Sequence, residues 1–176
     1  MRVDIFLRWK KSSLWLVLSL QALFGSLALA DEVIPLLYVG AGIFDVDKNH
    51  PRSEYQLEYK VGVNYHNIRP IVGLMATDRG STYVYGGFSY DIFIGPHFAI
   101  TPSFAPGIYF RAKGKDLGFP LEFRSSFELS YIFKSKGRLG AQFYHLSNAS
   151  LGHRNPGTEC LLFFYAIPFK SYKSRH

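Results

Sequence analysis

Along most of the chain, apolar and polar residues alternate with a period of two. In YQLEYKVGVNY, Tyr55, Leu57, Tyr59, Val61, Val63 and Tyr65 form one set, and Gln56, Glu58, Lys60, Gly62 and Asn64 the other. LEFRSSFELSYIF repeats the pattern, with Leu121, Phe123, Phe127, Leu129, Tyr131 and Phe133 opposite Glu122, Arg124, Ser126, Glu128 and Ser130. That period puts successive side chains on opposite faces of a β-strand. Turn-forming residues divide the chain into eight such segments, at about 33–44, 53–66, 70–78, 82–94, 98–112, 120–134, 137–149 and 159–169. A soluble sandwich also alternates, but it hides the apolar face and exposes the charges. Here the apolar face is large, aromatic and carried by nearly every segment, which suits lipid outside and a polar interior. The pattern predicts an all-β fold: an eight-stranded antiparallel transmembrane β-barrel of the outer membrane, its segments of ~10 residues matching tilted membrane strands.

The connections alternate as well. Tight turns at Asn67–Pro70, Ile94–His97 and Lys134–Gly137 interleave with longer or more polar links at 45–52, 79–81, 113–119 and 150–158. Such barrels have short periplasmic turns and longer outer loops, so the second set is predicted to be external. Pro102 and Pro106 fall inside the fifth segment and each lacks a ladder donor, which predicts a bulge or a locally broken strand.

Composition agrees with strands and turns: 17% of residues are aromatic, 16 are glycine, and mean hydropathy is near zero. The first residues add a compartment. Arg2, Arg8, Lys10 and Lys11 precede the apolar run LWLVLSLQALF, and Ala28-Leu29-Ala30 is a small-residue cleavage site before Asp31. Residues 1–30 therefore read as a signal peptide and 31–176 as the barrel. Removing four cations and one anion lowers the formal charge from +7 to +4, so the exported chain stays basic. No second run of about 18 apolar residues follows, which excludes a helical membrane protein. The basic and aromatic residues follow strand alternation rather than forming a patch, which together with export argues against nucleic acid as a partner. A single cysteine, Cys160, leaves no internal disulfide to brace the fold and reads as an apolar filler. After Phe169 the tail Lys170–His176 is mostly polar, which the strand pattern does not explain.

Candidate chemistry is concentrated in YHLSNASLGHRNPGTE, Tyr144 to Glu159. Alternation puts His145 and Ser147 on the apolar, outer face of the seventh segment with Leu139, Ala141 and Phe143. A polar pair facing lipid is costly unless it sits at the interface or finds partners. Two residues apart on a strand means ~6.5 Å between Cα atoms, within reach of a Ser-to-His hydrogen bond. The eighth segment returns antiparallel to the seventh and opens with Glu159, the only carboxylate after Tyr144. Cross-strand neighbours lie ~5 Å apart, so Glu159 can reach His145. The roles that follow are nucleophile for Ser147, general base for His145 and imidazole-orienting acid for Glu159. A hydrolase site facing the membrane implies a lipid ester. The histidines His50, His66, His97 and His153 lack metal-ligand spacing, and neither metal nor cofactor is expected. The competing reading is a non-catalytic small outer-membrane barrel, structural or adhesive, which has no need of Ser, His and Glu on its lipid face.

The His-x-Ser-Asn-Ala run of His145 to Ala149, followed by Asn155-Pro156-Gly157 and Glu159, resembles the signature of the outer-membrane lipid A 3-O-deacylase family. The similarity is sharpest over 141–169. It implies an eight-stranded barrel with an outward-facing Ser-His-Glu site that removes the ester-linked acyl chain at the 3 position of lipid A. By resemblance His145, Ser147 and Glu159 take the catalytic places. Asn148 and the backbone N–H groups after Ser147 stabilise the oxyanion, and Asn155 organises the loop. Members often carry a glycine two residues after that Asn, where this chain has Ser150. Lys113, Lys115 and Arg154, in external links, are candidates on charge alone for the phosphates of lipid A or lipopolysaccharide.

Overall fold

The computed structural model describes residues 31–46 and 52–169. The predicted signal peptide, most of the first external link and the tail Lys170–His176 lie outside them. Eight long strands carry the fold: β1 Leu36–Phe44, β2 Arg52–Lys60, β3 Ile68–Thr77, β4 Thr82–Tyr90, β5 Phe98–Phe110, β6 Leu121–Ile132, β7 Arg138–Ser147 and β8 Thr158–Pro168. Each pairs antiparallel with its neighbours in the order β4-β3-β2-β1-β8-β7-β6-β5, and pairing of β4 with β5 closes the ring. Among the described residues closure leaves no strand of the ring without a neighbour on either side, the condition for strands to cross hydrocarbon.

The two faces divide as the alternation predicts. Val39, Tyr55, Leu57, Val72, Leu74, Val84, Phe88, Phe104, Phe127, Leu129, Phe143 and Phe163 are exposed on the outer wall. The interior is polar and charged towards one end. There Lys60 Nζ lies 3.3 Å from Glu128 and 3.7 Å from Asp91, and Arg138 reaches Asp91 at 2.9 Å. Midway, Arg124 is fully buried: it donates to Gln56 and Gln142, lies 3.6 Å from Glu58, and stacks on the rings of Tyr85 and Tyr144. Glu122 shares this inner face, but neither of its carboxylate oxygens has a hydrogen-bond partner among the described residues. Phe44, Tyr109, Leu117, Tyr144, Leu146 and Cys160 form an apolar cluster below the opposite mouth.

Two local expectations change. The first tight turn is centred on His66 and Asn67, whose φ angles of 48° and 67° and the bridge from Tyr65 to Ile68 make a type I′ hairpin; Ile68–Pro70 already belong to β3. The fifth strand is neither bulged nor broken. Its pairing with β6 runs uninterrupted past Pro102 and Pro106, and its register against β4 is the same on both sides of Pro106. Only the ladder towards β4 opens there, because proline has no N–H to donate.

Candidate active site

His145 and Ser147 lie near the outer end of β7, and the period of the strand turns both to the lipid-facing side. Register does the rest: His145 pairs with Glu159 on β8, and its Nδ1 lies 2.9 Å from Glu159 Oε1. Both side chains are partly open, at 43% and 36% exposure. A carboxylate holding Nδ1 fixes the imidazole so that Nε2 is left for proton transfer. Gly157, with φ 58°, lies beside that ring; a Cβ there would stand 2.8 Å from His145 Cε1, so a larger residue would displace the imidazole. Ser147, the last residue of β7, is half-buried and pairs with Phe123 on β6. Its hydroxyl makes no hydrogen bond to His145 among the described residues. On the side away from Glu159, the cross-strand neighbour of His145 is Ser125, a residue the sequence pattern passed over.

Beyond Ser147 the chain folds back on itself. Asn148 is fully buried; its amide donates to Leu117 O and Arg154 O, each at 2.8 Å, and its main-chain N–H donates to Asn155 Oδ1 at 3.1 Å. Both side-chain N–H bonds are thereby spent. Asn148 thus holds the loop together, and the expectation that its side chain stabilises an oxyanion meets donors already in use. Asn155 organises this loop through that same bond. Ala149 and Ser150 follow with φ 51° and 63°, the left-handed region, and Leu151 N–H closes the turn on Asn148 O. The main-chain N–H groups of Ala149 and Ser150 make no hydrogen bond among the described residues, so they are the first free donors after Ser147 along the chain. A left-handed φ at Ser150 is a conformation that favours glycine.

A second loop, 111–120 between β5 and β6, packs on this one. Leu117 drops into the apolar cluster below the mouth, and Gly118, at φ 88°, approaches so closely that a Cβ would stand 2.2 Å from Arg154 O. The charges are arranged differently from the grouping of Lys113, Lys115 and Arg154. Lys115 is held by Asp45 at 2.7 Å, with Thr158 donating to the same carboxylate. Arg154 instead joins Arg111, and each guanidinium lies 3.2 Å from Asp116 Oδ2. Lys113 is exposed. Arg111 closes a strand in the sequence, and only the fold brings it to Arg154.

A family model described as lipid A 3-O-deacylase (PagL) matches residues 49–168. Among solved structures, the outer membrane enzyme PagL superposes with a TM-score of 0.60 at 20% identity, over 76% of this chain and 99% of that one. A de novo designed transmembrane β-barrel follows at 0.56 and 9% identity, over 79% and 98%. Neisserial surface protein A follows at 0.50 and 12%, over 77% and 97%. At these identities the structural likeness establishes the fold, a membrane-spanning barrel. No curated protein matches the chain.

Proposed function

The chain belongs to the lipid A 3-O-deacylase family, and from that premise we propose that Ser147, His145 and Glu159 carry out the ester hydrolysis. The Ser147 hydroxyl attacks the carbonyl of the 3-O-linked acyl chain while His145 Nε2 takes its proton. Glu159, bonded to Nδ1, stabilises the imidazolium so formed. The tetrahedral oxyanion is met by the main-chain N–H groups of Ala149 and Ser150. Collapse breaks the ester C–O bond, His145 returns its proton to the departing sugar oxygen, and the acyl group stays on Ser147. Water, deprotonated by His145, then releases the fatty acid and restores the serine. The substrate reaches the site from the outer leaflet of the outer membrane, and residues 1–30 serve as the signal peptide that exports the chain.

The observation that supports this assignment best is the 2.9 Å bond between His145 and Glu159 on a wall otherwise turned to lipid. A polar pair facing lipid is costly, and a structural barrel gains nothing from one. The test is mass spectrometry of lipid A from outer membranes carrying the wild-type chain or Ser147→Ala. Loss of one hydroxyacyl unit is expected with the wild type alone, the variant remaining folded and heat-modifiable on gels. Retained deacylation in Ser147→Ala would remove Ser147 from the mechanism, and unchanged lipid A with both folded proteins would favour a non-catalytic barrel.

A further inference from the structure

The lipid-facing wall of the eight strands is aliphatic, aromatic, glycine or proline at almost every position. The non-aromatic polar exceptions are Ser53 and Thr82 at strand ends, the trio His145, Ser147 and Glu159, and Ser125. Ser125 is not at an end. It lies within β6, flanked on its own face by Phe123 and Phe127, and it is exposed. Its cross-strand partners are Phe104 on β5 and His145 on β7, so Ser125, His145 and Glu159 form one row across three strands. No hydrogen bond joins its hydroxyl to another described side chain.

The row has a direction. Ser147 lies one step closer to the outer loops, opposite Phe123, which makes Ser125 its diagonal neighbour at roughly 7–8 Å between Cα atoms. The next row inward is Phe127, Phe143 and Leu161, and the one below it Leu129, Ala141 and Phe163. An acyl chain whose carbonyl is at Ser147 must run inward over these rows to reach hydrocarbon. The carbons next to the carbonyl therefore cross the level of Ser125. A bare methylene passing there would leave the serine hydroxyl unpaired against lipid, which costs free energy; a hydroxyl on the β carbon would pair with it.

We propose that Ser125 is a specificity-determining residue that hydrogen-bonds a hydroxyl near the ester carbonyl of the leaving acyl chain, so that the site selects β-hydroxyacyl esters. This rests on Ser147 being the nucleophile.

The experiment uses the full folded chain in detergent micelles and two glucosamine 3-O-acyl esters of equal chain length, one with a β-hydroxyl and one without. The wild type is expected to prefer the hydroxylated ester in kcat/KM. Ser125→Ala should lower the ratio of the two values about five- to tenfold, the contribution of one hydrogen bond, and Ser125→Thr, which keeps a hydroxyl, should preserve most of the preference. An unchanged ratio in Ser125→Ala, or equal losses on both esters, would overturn the assignment. Turnover of both esters without preference by the wild type would overturn it too, while leaving the deacylase reading intact. Failure of the folded wild type to cleave either ester would instead sink the deacylase reading, and this proposal with it.

Discussion

Replacing Gly118 by alanine tests whether the loop between β5 and β6 is part of the catalytic apparatus or only a cover over the barrel mouth. Two costs arise. A left-handed φ of 88° is unfavourable for any residue with a Cβ, by about 1–2 kcal/mol. The added carbon would also stand 2.2 Å from Arg154 O, so the two backbones must part by about 1 Å to regain van der Waals contact. Arg154 O is one of the two carbonyls that hold the Asn148 amide, and Asn148 directly follows Ser147. The displacement is thus delivered to the nucleophile and to the free N–H groups beyond it, and a misplacement of ~1 Å can cost ~10²-fold in rate. Gly95 supplies the comparison: its φ is 63°, but a Cβ there meets nothing within 4 Å, and it lies in a turn at the opposite end of the barrel. Both alanine variants should lose stability in urea unfolding from micelles, Gly118→Ala by more because it carries the backbone clash as well as the left-handed φ. Only Gly118→Ala should lose turnover, by about 10²-fold, in a steady-state deacylation assay. Near wild-type turnover in Gly118→Ala, or an equal loss in Gly95→Ala, would refute the coupling between the two loops.

Glu159→Gln keeps a polar group beside His145 but removes the charge that stabilises the imidazolium; turnover should fall by roughly 10²–10⁴, and single-turnover kinetics retaining a large part of the wild-type rate would rule out the orienting role. Arg124→Met leaves Glu58 buried without the guanidinium that lies 3.6 Å away, and should cost about 3–5 kcal/mol in urea unfolding; a shift below about 1 kcal/mol would mean that water inside the barrel replaces the cation.

The barrel was legible in the sequence because a bilayer outside and charges inside impose one rule on every strand, so that alternation alone identifies both faces. Glu58, Lys60, Arg124 and Glu128 could be assigned to the interior in this way. Turns were less legible, since Pro70 marks a chain reversal only loosely, whereas the reversal itself needs left-handed backbone, which His66 and Asn67 provide. The site was readable where it depends on register: a hairpin joining β7 to β8 fixes which residue of one faces which of the other, and His145 and Glu159 follow. It was not readable where it depends on contact between loops. Nothing in the sequence says that the Asn148 donors are spent on Leu117 O, 31 residues away, or that Arg111 rather than Lys115 accompanies Arg154. Ser125 was visible only as a break in the apolar face of LEFRSSFELSYIF, and its meaning came with the pairing of β6 and β7.

These two sources of geometry give the site parts with different tolerance to change. The row of Ser125, His145 and Glu159 is set by strand pairing within a closed ring, where a slip of one residue would turn every side chain to the other face. Its spacing is therefore as rigid as the barrel. Ser147 ends β7 and is followed by the left-handed residues Ala149 and Ser150, so the nucleophile and the free N–H donors sit at the boundary between ring and loop. Substitutions in the row should alter which acyl chain is accepted or how the proton moves, with little change elsewhere. Substitutions at the loop contacts, Gly118 foremost, should lower turnover on every ester alike, because they move Ser147 and the oxyanion donors relative to a base that stays where the strands hold it.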